Sequence, residues 1–216
     1  HGRVFAVGNA AGSDTIYCLR IDDGSEEWSF SYRCPEGKRM FEGGPAATPT
    51  IDPVNRRVFV LSHEGELRCL DMTGGAELWI RDYVKDFKGR LPQYGFAAAP
   101  LLIGSMLVVQ PGAEGGSVVA LDSASGQKRW GAGNDKVSYS APIAFEHNGR
   151  QMLASFNAYA WRALNSCMKA TNASTLSIGH PLYILALIPP TLRCPFSPPN
   201  PAFSASRRKT LSNSSL

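Results

Sequence analysis

The chain has 216 residues, Lys+Arg 22 against Asp+Glu 18 and a hydrophobic fraction of 44%, the balance of a folded protein and not of a disordered one. The longest apolar run, Leu182 to Ile188, is seven residues, far short of the roughly 20 that a membrane-spanning helix needs, so no transmembrane segment is expected. Residue 1 is His with no charged-then-apolar leader behind it, and a piece of a longer protein is expected.

The first repeating element is marked by tryptophan. Trp28, Trp79 and Trp130 are spaced 51 residues apart. Each closes a similar string, LRIDDGSEEW, LDMTGGAELW and LDSASGQKRW, in which Gly24, Gly75 and Gly126 stand five residues after a leucine. Asp71 and Asp122 follow that leucine in the second and third strings, and Arg20 replaces the aspartate in the first. An aspartate that bonds backbone donors two positions on, followed by a glycine free to take positive φ, predicts a tight turn. The tryptophan then starts an outer strand and staples one unit to the next.

Before each of the later strings lie two short β-rich runs, Val58 to Leu61 then Leu67 to Leu70, and Leu107 to Val109 then Val118 to Leu121. A further strand is expected after Pro49, Pro100 and Pro142. Four strands per unit at this period predict an all-β fold, a partial β-propeller of four-stranded antiparallel blades with about three blades and the start of a fourth. The propeller is expected over residues 1–160, with a non-repeat tail over 161–216. That tail holds six basic residues, no acid, seven of 15 prolines and one of 21 glycines. It is expected to be either disordered or translated out of frame. The excess positive charge resides there, and nucleic-acid binding by the folded part is not expected.

The LDSASGQKRW string resembles the tryptophan-docking motif of propellers with pyrroloquinoline-quinone (PQQ)-type repeats, and the resemblance covers roughly residues 1–160. It implies seven or eight blades in complete members, a periplasmic or extracellular location, and one of two roles. The first is a non-catalytic binding or scaffold module of the cell envelope, like the outer-membrane assembly lipoprotein. The alternative is a fragment of a quinone-dependent alcohol or sugar dehydrogenase, whose PQQ lies against an adjacent Cys-Cys disulfide and a calcium ion. No adjacent pair exists among Cys18, Cys34, Cys69, Cys167 and Cys194, so no cofactor, metal or catalytic residue is assigned.

Cys18 and Cys69 sit ten residues before a tryptophan, where the third repeat has Ala120, and a small inward-facing slot is expected. The connections after Trp28 and Trp79 share Tyr32 with Tyr83 and Arg39 with Arg90 at the same 51-residue offset. These four are the candidate residues of a face that binds a protein or a small anionic ligand, with packing by the tyrosines and solvated arginines as the competing reading.

Overall fold

In the computed structural model, residues 2–37, 44–147, 150–156 and 161–165 are described, the last five as backbone. Among the described residues every element is a strand. The first sheet is β1 (Arg3–Ala10), β2 (Ser13–Arg20) and β3 (Glu26–Arg33). The second is β4 (Thr50–Asp52), β5 (Arg57–Leu61), β6 (Glu66–Asp71) and β7 (Glu77–Asp82), and the third is β8 (Leu101–Ile103), β9 (Met106–Val109), β10 (Val118–Asp122) and β11 (Lys128–Ala132). The fourth is β12 (Ile143–His147), β13 (Arg150–Phe156) and β14 (Trp161–Asn165). All four are antiparallel meanders in chain order, and β8 touches both β4 and β12, so the inner strands of successive sheets lie side by side as propeller blades do.

The unbroken apolar runs of the sequence follow from burial on both faces. In β5, Val58 and Val60 join the core shared with the first blade, while Phe59 and Leu61 join the core shared with the third. Side chains alternate across a strand, so a strand with a blade on each side must be apolar at every position. One core cluster fills each interface between neighbouring blades: Ile16 with Val58 and Leu70, then Phe59 and Leu67 with Leu107 and Leu121, then Val108 and Val118 with Leu153.

The tryptophan motif has one geometry in each of its turns. A bulge interrupts the ladder between Cys18 and Leu19, between Cys69 and Leu70, and between Ala120 and Leu121. Just before it, Cys18, Cys69 and Ala120 pair with Trp28, Trp79 and Trp130. All three small residues are fully buried, which fits the expected slot. The Asp71 carboxylate accepts from the backbone N–H of Thr73 and Gly74, and Asp122 does the same for Ala124 and Ser125. In the first blade Arg20 holds the aspartate's place, and Asp23 caps the backbone of Ser25 instead.

Each turn glycine has positive φ, +70° at Gly24, +73° at Gly75 and +67° at Gly126. At the last two, space is an equal constraint. A Cβ on Gly75 would lie 2.6 Å from the Trp28 ring, and one on Gly126 would lie 2.8 Å from the Trp79 ring. Trp28 Nε1 donates to the Met72 carbonyl at 3.2 Å, and Trp79 Nε1 to the Ser123 carbonyl at 3.2 Å. Each indole therefore reaches from its own blade onto the glycine turn of the next. Arg81 reinforces the second contact by donating to the carbonyl of Gly126 at 2.8 Å.

The repeat runs slightly past its expected end. In β14, Ala163 pairs with Ala154, and Leu164 and Asn165 follow it as Leu121 and Asp122 follow Ala120. Strand pairing in the β13–β14 register is described as far as Asn165. Residues 166–216 lie outside the described residues.

Truncating Trp79 to Ala should cost about 3–5 kcal/mol, the usual loss for a buried aromatic side chain. Gly126→Ala should destabilise measurably through its clash with Trp79, whereas Gly8→Ala, with open space around it and no positive φ, should change little. Urea unfolding of the three variants checks both expectations.

Candidate functional site

Each blade has two ends. The aspartate–glycine turns lie at one end. At the other, the β5–β6 turn meets the long connection to the next blade, where Tyr83 N–H donates to the Gly65 carbonyl at 2.9 Å and Phe96 N–H to the His63 carbonyl at 2.8 Å. The candidate residues of the sequence belong to this connection end.

Its most densely bonded region lies between the first two blades. Asp14, at the start of β2, is fully buried. The Tyr32 hydroxyl donates to its Oδ2 at 3.0 Å, and Asn9 Nδ2 donates to its Oδ1 at 2.8 Å and to the Cys34 carbonyl at 2.9 Å. Cys34 Sγ lies 3.4 Å from Nδ1 of His63 on the second blade. The Arg68 guanidinium of β6 sits over the Tyr32 ring, 4.2 Å from its centroid, and is itself paired to Glu66 and Glu77. The two carboxylates lie on the cation's own blade and hold it in place, and its contact with the Tyr32 ring crosses to the first blade.

The chemistry open to this cluster is limited by the same contacts. A cysteine beside a histidine works as a nucleophile only as the thiolate. Burial, and after it the Asp14 carboxylate, push the Cys34 thiol up to about 12, so it stays protonated at neutral pH. Cys34 is 1% exposed and His63 5%. The pair closes an interface; it is not poised to attack a substrate. Burial first, and then Asp14, also hold the Tyr32 phenol well above its ordinary range.

Tyr32 and Tyr83, expected on an accessible face, are interior residues at 8% and 1% exposure. Their surroundings differ for a simple reason. Asp14 stands four residues before Cys18, and the residue four before Cys69 is Gly65. Tyr83 meets that glycine and the edge of the Phe96 ring, with centroids 5.1 Å apart, and its buried hydroxyl has no acceptor. Arg90 is exposed, and Arg39 lies outside the described residues. Beside Arg90 the structure leaves Leu91, Tyr94 and Tyr139 at the surface, with the two tyrosine rings 5.9 Å apart just before the inner strands of the third and fourth blades.

Sequence spacing does not bring Cys34 to His63, because they lie 29 residues apart in unlike parts of two repeats. One signal was present. Register aligns Phe5, Phe59 and Val108, each opposite the small residue of its slot, so Asn9, His63 and Gly112 hold one position four residues further on. Polar side chains where the third repeat carries glycine mark the node.

These features define the chain as a propeller of four-stranded blades stapled by tryptophan. The family model described as "Outer membrane protein assembly factor BamB" matches residues 12–157, and the chain belongs to this family of PQQ-like repeat propellers. No curated protein gives a significant match. Among solved structures, a quinohemoprotein alcohol dehydrogenase from Pseudomonas putida HK5 is 16% identical with a TM-score of 0.51, covering 76% of this chain and 31% of that one. BamB from Moraxella catarrhalis is 18% identical with a TM-score of 0.40, covering 82% of this chain and 62% of that one. The chain thus spans under two thirds of either protein.

The quinone and calcium that one branch of the family implies need an adjacent cysteine pair and clustered acidic ligands. Among the described residues Cys18, Cys34 and Cys69 are separate, free and buried, and no three His, Cys, Asp or Glu side chains are placed to hold a metal ion. The described residues do not fit that group.

Tyr32→Phe should cost about 1–3 kcal/mol by leaving the buried Asp14 carboxylate short of a donor, while Tyr83→Phe should be neutral or stabilising. Chemical denaturation of the two variants gives the comparison directly. Burial raises all three described thiols, and Cys34 and Cys69 are each pushed up to about 12 from 9.0. Their stabilising effect is complete below pH 9 and is lost as pH rises towards 12. Melting temperature should therefore fall less steeply over that window in Cys34→Ala and Cys69→Ala than in the parent.

Proposed function

We propose that this chain is part of a cell-envelope propeller that works as a binding and scaffolding module for other proteins, with the connection end as its working face. The observation that carries this reading is how polar groups are divided at that end. Asp14, Tyr32, Cys34 and His63, the groups with chemistry to offer, are buried and bonded to one another between blades. Arg90, Leu91, Tyr94 and Tyr139 are left outside. Tyrosine and arginine are the side chains that most often anchor protein interfaces, because they bury large, rigid or multiply bonding surfaces at modest entropic cost.

The family description supports a partner in outer-membrane protein assembly and hence a periplasmic location. Among the described residues no helix is long and apolar enough to cross a membrane. The Arg90 guanidinium suits an acidic stretch on that partner, with the tyrosine pair supplying the apolar contact.

Photo-crosslinking residues placed at 94, 139 and, at the opposite end, 54 would test this in the envelope of a Gram-negative cell. Adducts with an outer-membrane assembly protein are expected from positions 94 and 139 and not from 54. Equal labelling from all three, or alcohol oxidation on adding PQQ and calcium to the purified chain, would contradict the proposal.

A further inference from the structure

We infer that the segment received at the connection end is proline-rich and acidic, an extended polyproline-type stretch of another polypeptide laid across Tyr94 and Tyr139. The inference rests on the reading of that end as a protein-binding face and names the kind of chain it takes. The two tyrosines are 50% and 47% exposed, and their rings, with centroids 5.9 Å apart, are inclined by 54°. Rings at this angle are not stacked on each other, so each keeps apolar area for a third group.

Both rings stand on backbone that is held from behind. Tyr94 N–H donates to the Tyr139 hydroxyl at 3.4 Å, which joins the two connections directly. Gly95 follows Tyr94 with φ +76° and lies so close to the second blade that a Cβ there would stand 2.8 Å from the His63 carbonyl oxygen. Two residues before Tyr139, Val137 is buried against Gly112, where a Cβ would stand 2.4 Å from the Val137 nitrogen. The Ser138 hydroxyl donates to the Phe156 carbonyl of the fourth blade. Rings carried on backbone fixed in this way are already placed for a ligand, which lowers the ordering cost of binding.

The ways in which a surface takes a peptide differ in what they require. Strand addition needs a strand edge, and Tyr94 and Tyr139 both lie outside the strands. An amphipathic helix needs a long apolar groove, and two half-exposed rings on loops are too short a run of apolar surface for it. A polyproline-type segment needs only aromatic faces for its proline rings and donors for its carbonyls, which its own backbone leaves free. The tyrosines offer both, ring faces and phenolic hydroxyls. Charge selects among such segments. Exposed Arg90 and Lys136 stand four and three residues before the two rings in the chain, and they favour acidic side chains beside the prolines. The chain's own proline-rich stretch, residues 189–201, carries Arg193 and no acid, and a second copy would bring the same sequence. The occupant is therefore a different polypeptide.

Panning a phage-displayed library of random peptides on the immobilised full chain tests the inference without presupposing a sequence. Enrichment of peptides with repeated prolines and net negative charge is expected. Made synthetically and labelled with fluorescein, these should bind the chain saturably in fluorescence anisotropy, and at least about tenfold more weakly when it carries Tyr94→Ala or Tyr139→Ala. Circular dichroism of both variants must match the parent, and a Val54→Ser chain, altered at the far end, should bind normally. A peptide of residues 189–201 should bind at least about tenfold more weakly than the enriched ones. A chain carrying Arg90→Glu and Lys136→Glu leaves the rings in place and should instead enrich prolines beside Lys or Arg. No enrichment, enriched peptides without proline, or affinity unchanged by both tyrosine substitutions would overturn the inference. Peptides that need both tyrosines but lack proline would overturn it while leaving the protein-binding reading intact. Crosslinking that captures no assembly protein would contradict that reading and leave the preference for proline standing.

Discussion

The fold depends on one recurring contact, an indole from one blade laid over a glycine in the next. A four-stranded blade is too thin to have a core of its own, so its stability comes from the faces it shares. Trp28 over Gly75 and Trp79 over Gly126 fix the spacing and tilt of successive blades at their outer rim, where apolar packing alone would allow sliding. The hydrogen bond from each indole nitrogen to a turn carbonyl adds direction to a contact that is otherwise only area. The buried small residue beside each tryptophan, Cys18, Cys69 or Ala120, leaves room for the ring.

The first two interfaces between blades use that contact with different supporting chemistry. Between the second and third blades the core is almost wholly apolar, from Phe59 and Leu61 to Leu107 and Leu121, with Tyr83 and Phe96 closing the connection end. Between the first and second, Val58, Val60 and Leu70 meet Ile16, and the connection end is closed by Asp14, Tyr32, Asn9, Cys34 and His63. A polar closure has a stricter geometric requirement, because each buried donor and acceptor needs its partner. This favours one docking angle for the first blade. It also explains why groups that would suggest catalysis in a list are occupied in holding the structure.

Much of the architecture was legible because its determinants are local and repeated. The 51-residue tryptophan period, the Asp-to-Gly turn and the paired apolar runs each report one physical need, and each recurs. What was not legible depends on contacts between unlike positions of different repeats. Tyr32 and Tyr83 align in sequence, yet one bonds Asp14 and the other meets Gly65, a difference set by the neighbouring strand. Both rings are buried, so the shared offset places them in equivalent packing positions with unlike partners. The surface tyrosines Tyr94 and Tyr139 have no common offset with the motif, and only the folded chain sets them side by side.

The central claim is that the tryptophan of one blade and the glycine of the next act as a single energetic unit. A double-mutant cycle between Trp79→Ala and Gly126→Ala, measured by equilibrium unfolding, tests it most directly. The account predicts strong non-additivity: once the ring is gone, the alanine keeps its positive-φ strain but loses its clash with the indole, and the loss in the double variant should fall short of the sum of the two single losses by at least about 1 kcal/mol. Losses that simply add would mean that the two residues stabilise the fold separately, and would contradict the claim.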